Sequence, residues 1–239
     1  MIGLVLRFVA RHGKLALIAG LFAGFLLPDL AMALRPAIAF LIALLLMVTA
    51  ARIGWRDAVG SGAGLGETLR LVAMYQVAMP LFVAVPAMML GIAQVPLVLA
   101  IILLLSAPSV TGAPNFAILM GKDPAPALRL LILGTLVFPV TVLPALWMMP
   151  EFGDPLTLLQ AGGKFFLLIG GAAVIGFALR EGFSQELSEA GRKSLDGVAA
   201  ILLAVVVVGL MSAIGPALRA DPGRLALWGS AAIAINFGL

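Results

Sequence analysis

The sequence predicts an all-α polytopic membrane protein, and three observations predict it. Its 239 residues are 63% hydrophobic and 11% charged, with a mean hydropathy of +1.18; a soluble domain is about 45–50% apolar and about 25% charged. Its apolar runs, such as AILLAVVVVGLM from Ala200 to Met211, do not alternate with polar residues, so they fit spanning helices and not the strands of a membrane barrel. One long apolar stretch, Val95 to Leu146, is interrupted by SAPSVTGAPN (Ser106 to Asn115) and then resumes with FAILM.

In chain order, residues 1–13 read as an interfacial helix. Arg7, Arg11 and then Lys14 share one stripe among Val5, Leu6, Phe8 and Val9, which suits apolar contact with lipid and cations at the headgroups. His12, the single histidine, is read as a surface residue. Span 1 is expected over Leu15–Leu27, ended by Pro28, and span 2 over Leu34–Ala51. A glycine-rich linker, Gly60 to Glu67, leads to span 3 at Leu69–Leu90. Span 4, the interrupted one, covers Val95–Met120 and span 5 covers Leu128–Met148. Span 6 is expected over Lys164–Leu179. The hydrophilic stretch 180–196 places Glu189 four residues before Lys193, a pairing that suits a solvated helical turn. Span 7 is expected over Val198–Ile214, and span 8 begins near Leu225.

Of the fifteen Lys and Arg residues, only Arg35, Lys164, Arg219 and Arg224 fall on the side opposite the N-terminus. The N-terminus is therefore expected in the cytoplasm, and the membrane is expected to be a bacterial inner membrane. Trp55, Trp147 and Trp228 fall near span ends, where an aromatic belt belongs. The sequence pI near 10.1 reflects these loop cations, and no nucleic-acid partner is expected; the lipid bilayer is. With no cysteine, disulfides and thiolate chemistry are excluded. Ser106, Ser109, Ser212 and Ser230 have no histidine or lysine base near them in sequence, so no enzyme is expected. The charged residues within the expected spans, Arg35, Arg70, Arg129 and Lys164, stand at their first or second positions, so none lies in a span's interior, which argues against a proton relay or voltage sensor.

The break is the informative segment. A helix in hydrocarbon satisfies its own backbone. Pro108 and Pro114 each remove a donor, and Gly112 weakens the helix further. Such a break survives where the freed backbone meets protein or a watery cavity, and in carriers that place is a substrate or ion site. A half-helix resuming after Pro114 points its positive end at the break, which suits an anion. A hard cation would take neutral oxygens, and Gln76, Thr111, Asn115 and Thr135 carry them. Each has a plainer role. Gln76 can hydrogen-bond between helices, Asn115 can cap the resumed helix, and Thr135 and Thr141 can bond back to their own helix. Pro80, Pro86, Pro139 and Pro144 read as kinks. Gly20, Gly24, Gly170, Gly171 and Gly176 read as close-packing positions.

The chain also suggests an internal repeat. KLALIAG (Lys14 to Gly20) overlays KFFLLIG (Lys164 to Gly170), and RLVAM (Arg70 to Met74) overlays RLALW (Arg224 to Trp228). Spans 6, 7 and 8 would then copy spans 1, 2 and 3, inverted because five spans is an odd number. Residues 14–148 would form the first five-span repeat and 149–239 the start of the second. Leu239 would correspond to Val85, so spans 9 and 10 are expected to be missing at the C-terminus.

Three pieces resemble the bile acid:sodium symporter family: Gly20 to Ile53, YQVAMPL (Tyr75 to Leu81), and APSVTGAPNFAILMGKDPAPALRLLILGTLVFPVTVLPAL (Ala107 to Leu146). The resemblance implies inverted five-span repeats with a broken fourth span. Spans 1, 2, 6 and 7 would form a panel domain, and spans 3–5 and 8 would belong to the core. It implies symport of a small organic anion with sodium (Na+) as coupling ion and no other cofactor. Gln76, Asn115 and Thr135 fall where the family holds its ions, and the break brings Pro108, Ser109 and Thr111 to the substrate. The chain departs from the family pattern at Ser109-Val110, where a double glycine is usual, and at Pro114-Asn115. Two alternatives stand beside this expectation: a sodium-independent carrier of auxin-efflux-like type, and a non-transporting membrane scaffold.

Overall fold

The structure, a computed structural model, describes residues 2–56, 63–109, 125–147, 155–182 and 188–238. Of these, 92% are helical, and none lies in a strand. The helices are α1 (Ile2–Arg11), α2 (Gly13–Leu26), α3 (Pro28–Leu34), α4 (Ile38–Ile53), α5 (Ala63–Ala73), α6 (Met79–Met89), α7 (Pro96–Ser106), α8 (Ala125–Thr141), α9 (Leu143–Trp147), α10 (Pro155–Gly182), α11 (Glu189–Leu210), α12 (Ile214–Ala220) and α13 (Pro222–Gly238).

Several of these join end to end. Pro28–Ile53 and Gly64–Met89 each run 26 residues and Glu189–Ala220 runs 32, and all three are long and apolar enough to cross a membrane; about 20 residues suffice. The pair Val5–Arg11 and Gly13–Leu26, bent by 88°, makes a fourth if it is counted as one span. Large apolar side chains face outward over these helices, with Phe82 81% and Met89 84% exposed. Lipid tolerates such a surface where water would not.

The boundaries differ from the sequence reading in instructive ways. Pro28 does not merely end span 1. It sits in the first turn of α3, where its missing N–H costs nothing, and starts the next span. Pro36 falls in a 3₁₀ turn, Arg35–Ala37, so the helix continues and encloses Arg35. Of the expected glycine-rich linker, Ala63 to Glu67 is already helix, while 57–62 lies outside the described residues. The bend at His12 leaves Lys14 on α2, so only Arg7 and Arg11 of the expected cationic stripe share a helix. His12 is half-buried at that bend, its ring 4.5 Å from that of Phe8. The hydrophilic turn is as expected: Lys193 Nζ lies 2.6 Å from Glu189 Oε1, and the Ser188 hydroxyl caps α11 by accepting from Gly191 N at 3.1 Å.

The chain divides into two compact units. One comprises Met1–Gly54 with Gly171–Leu239, and the other Trp55–Gly170. In the first, α11 is the central helix, packed against α1, α2, α3 and α4. Small residues permit this. A Cβ on Gly20 would fall 2.7 Å from the Ala204 carbonyl oxygen, and one on Gly24 would fall 2.7 Å from Met211 Cβ. Gly176 meets the Met47 carbonyl in the same way, whereas Gly170 and Gly171 face open space and do not serve close packing. In the second unit, α6 packs on α7, and α5 packs on α8. Ala84, Ile102 and Ala145 form a buried core there, with Val83 and Val98 against it.

Candidate functional site

The site is built within the second unit, where Pro80 sets its geometry. In a regular helix the N–H of residue 80 would bond to the carbonyl of Gln76. Proline has no N–H, and its ring crowds that carbonyl. The helix answers with a π turn, Met74–Ala78, in which the Met79 N–H bonds five residues back to Met74. Single π turns are frequent at functional sites. Gln76 sits at the middle of this one and is only 3% exposed.

Thr141, the last residue of α8, donates its hydroxyl to Gln76 Oε1 at 2.9 Å and also lies 3.2 Å from the Phe138 carbonyl. Two turns earlier on α8, Gly134 leaves room for the Gln76 amide. A Cβ there would stand 2.7 Å from Gln76 Nε2 and 3.7 Å from Pro108 Cβ. The π turn, α8 and the end of α7 therefore meet around one buried amide. The crevice beside it is lined by Pro80, Ala84, Ile102 and Pro144, and it is too narrow for a water molecule.

Helix α7 ends where the sequence places the break. Ser106 is fully buried and donates to the Ile102 carbonyl at 2.8 Å. Ala107 is extended, with φ −65° and ψ 144°. Pro108 and Ser109 follow, both half-buried. Thr111 and Asn115, with the half-helix expected after Pro114, lie outside the described residues.

Of the residues singled out in the sequence, Gln76 and Pro108 both approach Gly134, and Ser109 follows Pro108 along the chain. Thr135 does not join them. Its hydroxyl donates to the Leu131 carbonyl of its own helix at 2.7 Å, the plainer of its two readings. Gly134 was missed. The available signal was a small residue in an otherwise bulky apolar run, LLILGTLVF, which leaves space for a polar side chain from a neighbouring helix. At the other end of α8, Arg129 Nε is buried without a partner among the described residues, and the guanidinium rests against Gly64 of α5. Among the described residues no group of three or more His, Asp or Glu side chains gathers as metal ligands would.

No family model matches the chain, and no curated protein matches it.

Proposed function

We propose that the chain is a secondary carrier with the architecture of the bile acid:sodium symporter family, moving a small organic anion by alternating access and using sodium as the coupling ion. One observation carries this reading: the π turn at Met74–Ala78 holds the buried amide of Gln76 against Gly134, and Pro108, just past the extended end of α7, meets the same glycine. Irregular backbone in an apolar span is costly unless protein or a cavity meets it, and carriers use such places to hold substrate and ions. Amide, hydroxyl and carbonyl oxygens suit sodium, and a break that frees backbone N–H groups suits a carboxylate or sulfonate. In this reading Gln76 and Asn115 hold the ion, Thr135 joins them only by giving up its bond to the Leu131 carbonyl, and Pro108, Ser109 and Thr111 meet the anion. Spans 1, 2, 6 and 7 move as a panel against the core.

A second reading, a non-transporting scaffold, rests on a specific observation. The side-chain Oε1 of Gln76 is already engaged by Thr141, and the adjoining crevice admits no water. Uptake of small carboxylates and sulfonates into proteoliposomes containing the gene product separates the readings. Uptake that follows a sodium gradient, and is lost in Gln76→Ala, supports the symporter. Uptake indifferent to sodium favours the sodium-independent carrier, and no uptake across a broad anion panel favours the scaffold.

A further inference from the structure

The first unit contains a basic groove that transport leaves unexplained. It measures about 520 Å³ and lies between α1 and the start of α11, lined by Arg7, Ala10, Arg11, Lys193 and Asp196. Its one acid is already neutralised: Arg52 grips Asp196 through Nε and through Nη2, the latter at 3.2 Å. Arg7 donates its Nε to the Gly3 carbonyl at 3.0 Å. Neither Arg7 nor Arg11 has a carboxylate partner among the described residues. Lys193 shares its charge with Glu189, which is 83% exposed. The groove is therefore net cationic.

Its placement speaks for a lipid. Helix α1 turns 88° away from α2, so if α2 crosses the bilayer, α1 lies in its plane. On the wheel of α1, Arg7 and Arg11 stand on one side, while Val5 and Phe8, 58% and 63% exposed, stand on another. That arrangement puts cations at the depth of lipid phosphates and apolar side chains at the depth of acyl chains. A soluble anion would use the cations alone, whereas a lipid uses the exposed Val5 and Phe8 as well. The groove is also preformed. A Cβ on Gly197 of α11 would strike the Leu6 carbonyl, so α1 is docked backbone to backbone.

We propose that this groove binds the phosphate of an anionic phospholipid, with the acyl chains running past Phe8 and Val5. This goes beyond the carrier reading and does not depend on it. The test is native mass spectrometry of the detergent-solubilised full chain, mixed with phosphatidylglycerol or phosphatidylcholine of matched chains. Preferential retention of phosphatidylglycerol is expected, falling roughly five-fold for each arginine lost in Arg7→Gln and Arg11→Gln. Gly197→Leu removes no charge but displaces α1, and it should abolish the preference too. Lys193→Gln probes the groove from α11, leaves α1 untouched, and should weaken the preference. Arg219→Gln with Arg224→Gln should keep it. Equal retention of the two lipids would overturn the proposal, as would a preference that survives the arginine substitutions. Release of the lipid by excess inorganic phosphate would also overturn it, marking the groove as a site for soluble anions.

Discussion

Thr141 donates its hydroxyl to the Oε1 of Gln76 at 2.9 Å, tying residues 65 positions apart. The bond joins the end of α8 to the π turn, and Gln76 is buried there, so the acceptor has no water to fall back on. Thr141→Val should therefore cost about 1–3 kcal/mol, the usual penalty for a buried polar group left unpaired. A double-mutant cycle with Gln76→Leu should return a coupling of about 0.6–1.7 kcal/mol, the range for such bonds in membrane helices. Unfolding in mixed detergent measures both; strictly additive losses would mean the two side chains do not interact.

Gly134 holds the space for that amide. Elsewhere in a helix, alanine for glycine gains up to about 1 kcal/mol, and Gly171→Ala, which meets open space, should show that gain. Gly134→Ala should instead destabilise by about 1–3 kcal/mol, because its Cβ would stand 2.7 Å from Gln76 Nε2 and force a shift. Melting curves for the two variants moving in opposite directions is the expected outcome.

Pro80 is the cause of the π turn. Pro80→Ala restores an N–H that can reach the Gln76 carbonyl, so the helix should tighten to a regular α register and turn the Gln76 side chain away from Thr141. Hydrogen exchange should show a protected amide at position 80. Uptake should fall as far as it does in Gln76→Ala. Full uptake with a protected amide would detach the π turn from transport.

The Arg52–Asp196 pair joins α4 to α11, with side chains 41% and 33% exposed. Its two-pronged geometry puts it at the upper end of partly exposed pairs, about 1 kcal/mol at most. Asp196→Asn should lower thermal stability by no more than that at low salt, and the difference should shrink as added salt screens the charges.

Much of the helical order was legible because apolar composition and helix length are local properties. Ile2–Arg11 emerged as a separate helix because its cations fall at helical spacing. The errors came where proline and glycine play two roles. Pro28 reads as a stop, yet its first-turn geometry starts a new helix, which moved the boundary of the second span from Leu34 back to Pro28. Gly64 and Gly66 read as linker, yet the helix runs through them, with Gly64 packed beneath Arg129. The site was half legible. Gln76 and Pro108 declared themselves as a polar residue and a donor-less residue in apolar runs. The choice of partner did not. Thr135 and Thr141 are chemically alike and six residues apart on one helix, hence on different faces. The offset introduced by the π turn decides which of them Gln76 meets, and no pattern in the sequence encodes that register.

The carrier reading requires that the chain after Ser106 line a solvated path. The chain contains no cysteine, so single cysteines report on it without background. Ser109→Cys, Asn115→Cys and, as a lipid-facing control, Phe82→Cys should be treated with a membrane-impermeant maleimide in oriented vesicles. Labelling of positions 109 and 115 with none at 82 is the expected result. Positions 109 and 115 staying unlabelled from both sides, while reacting fully after denaturation, would contradict the carrier reading.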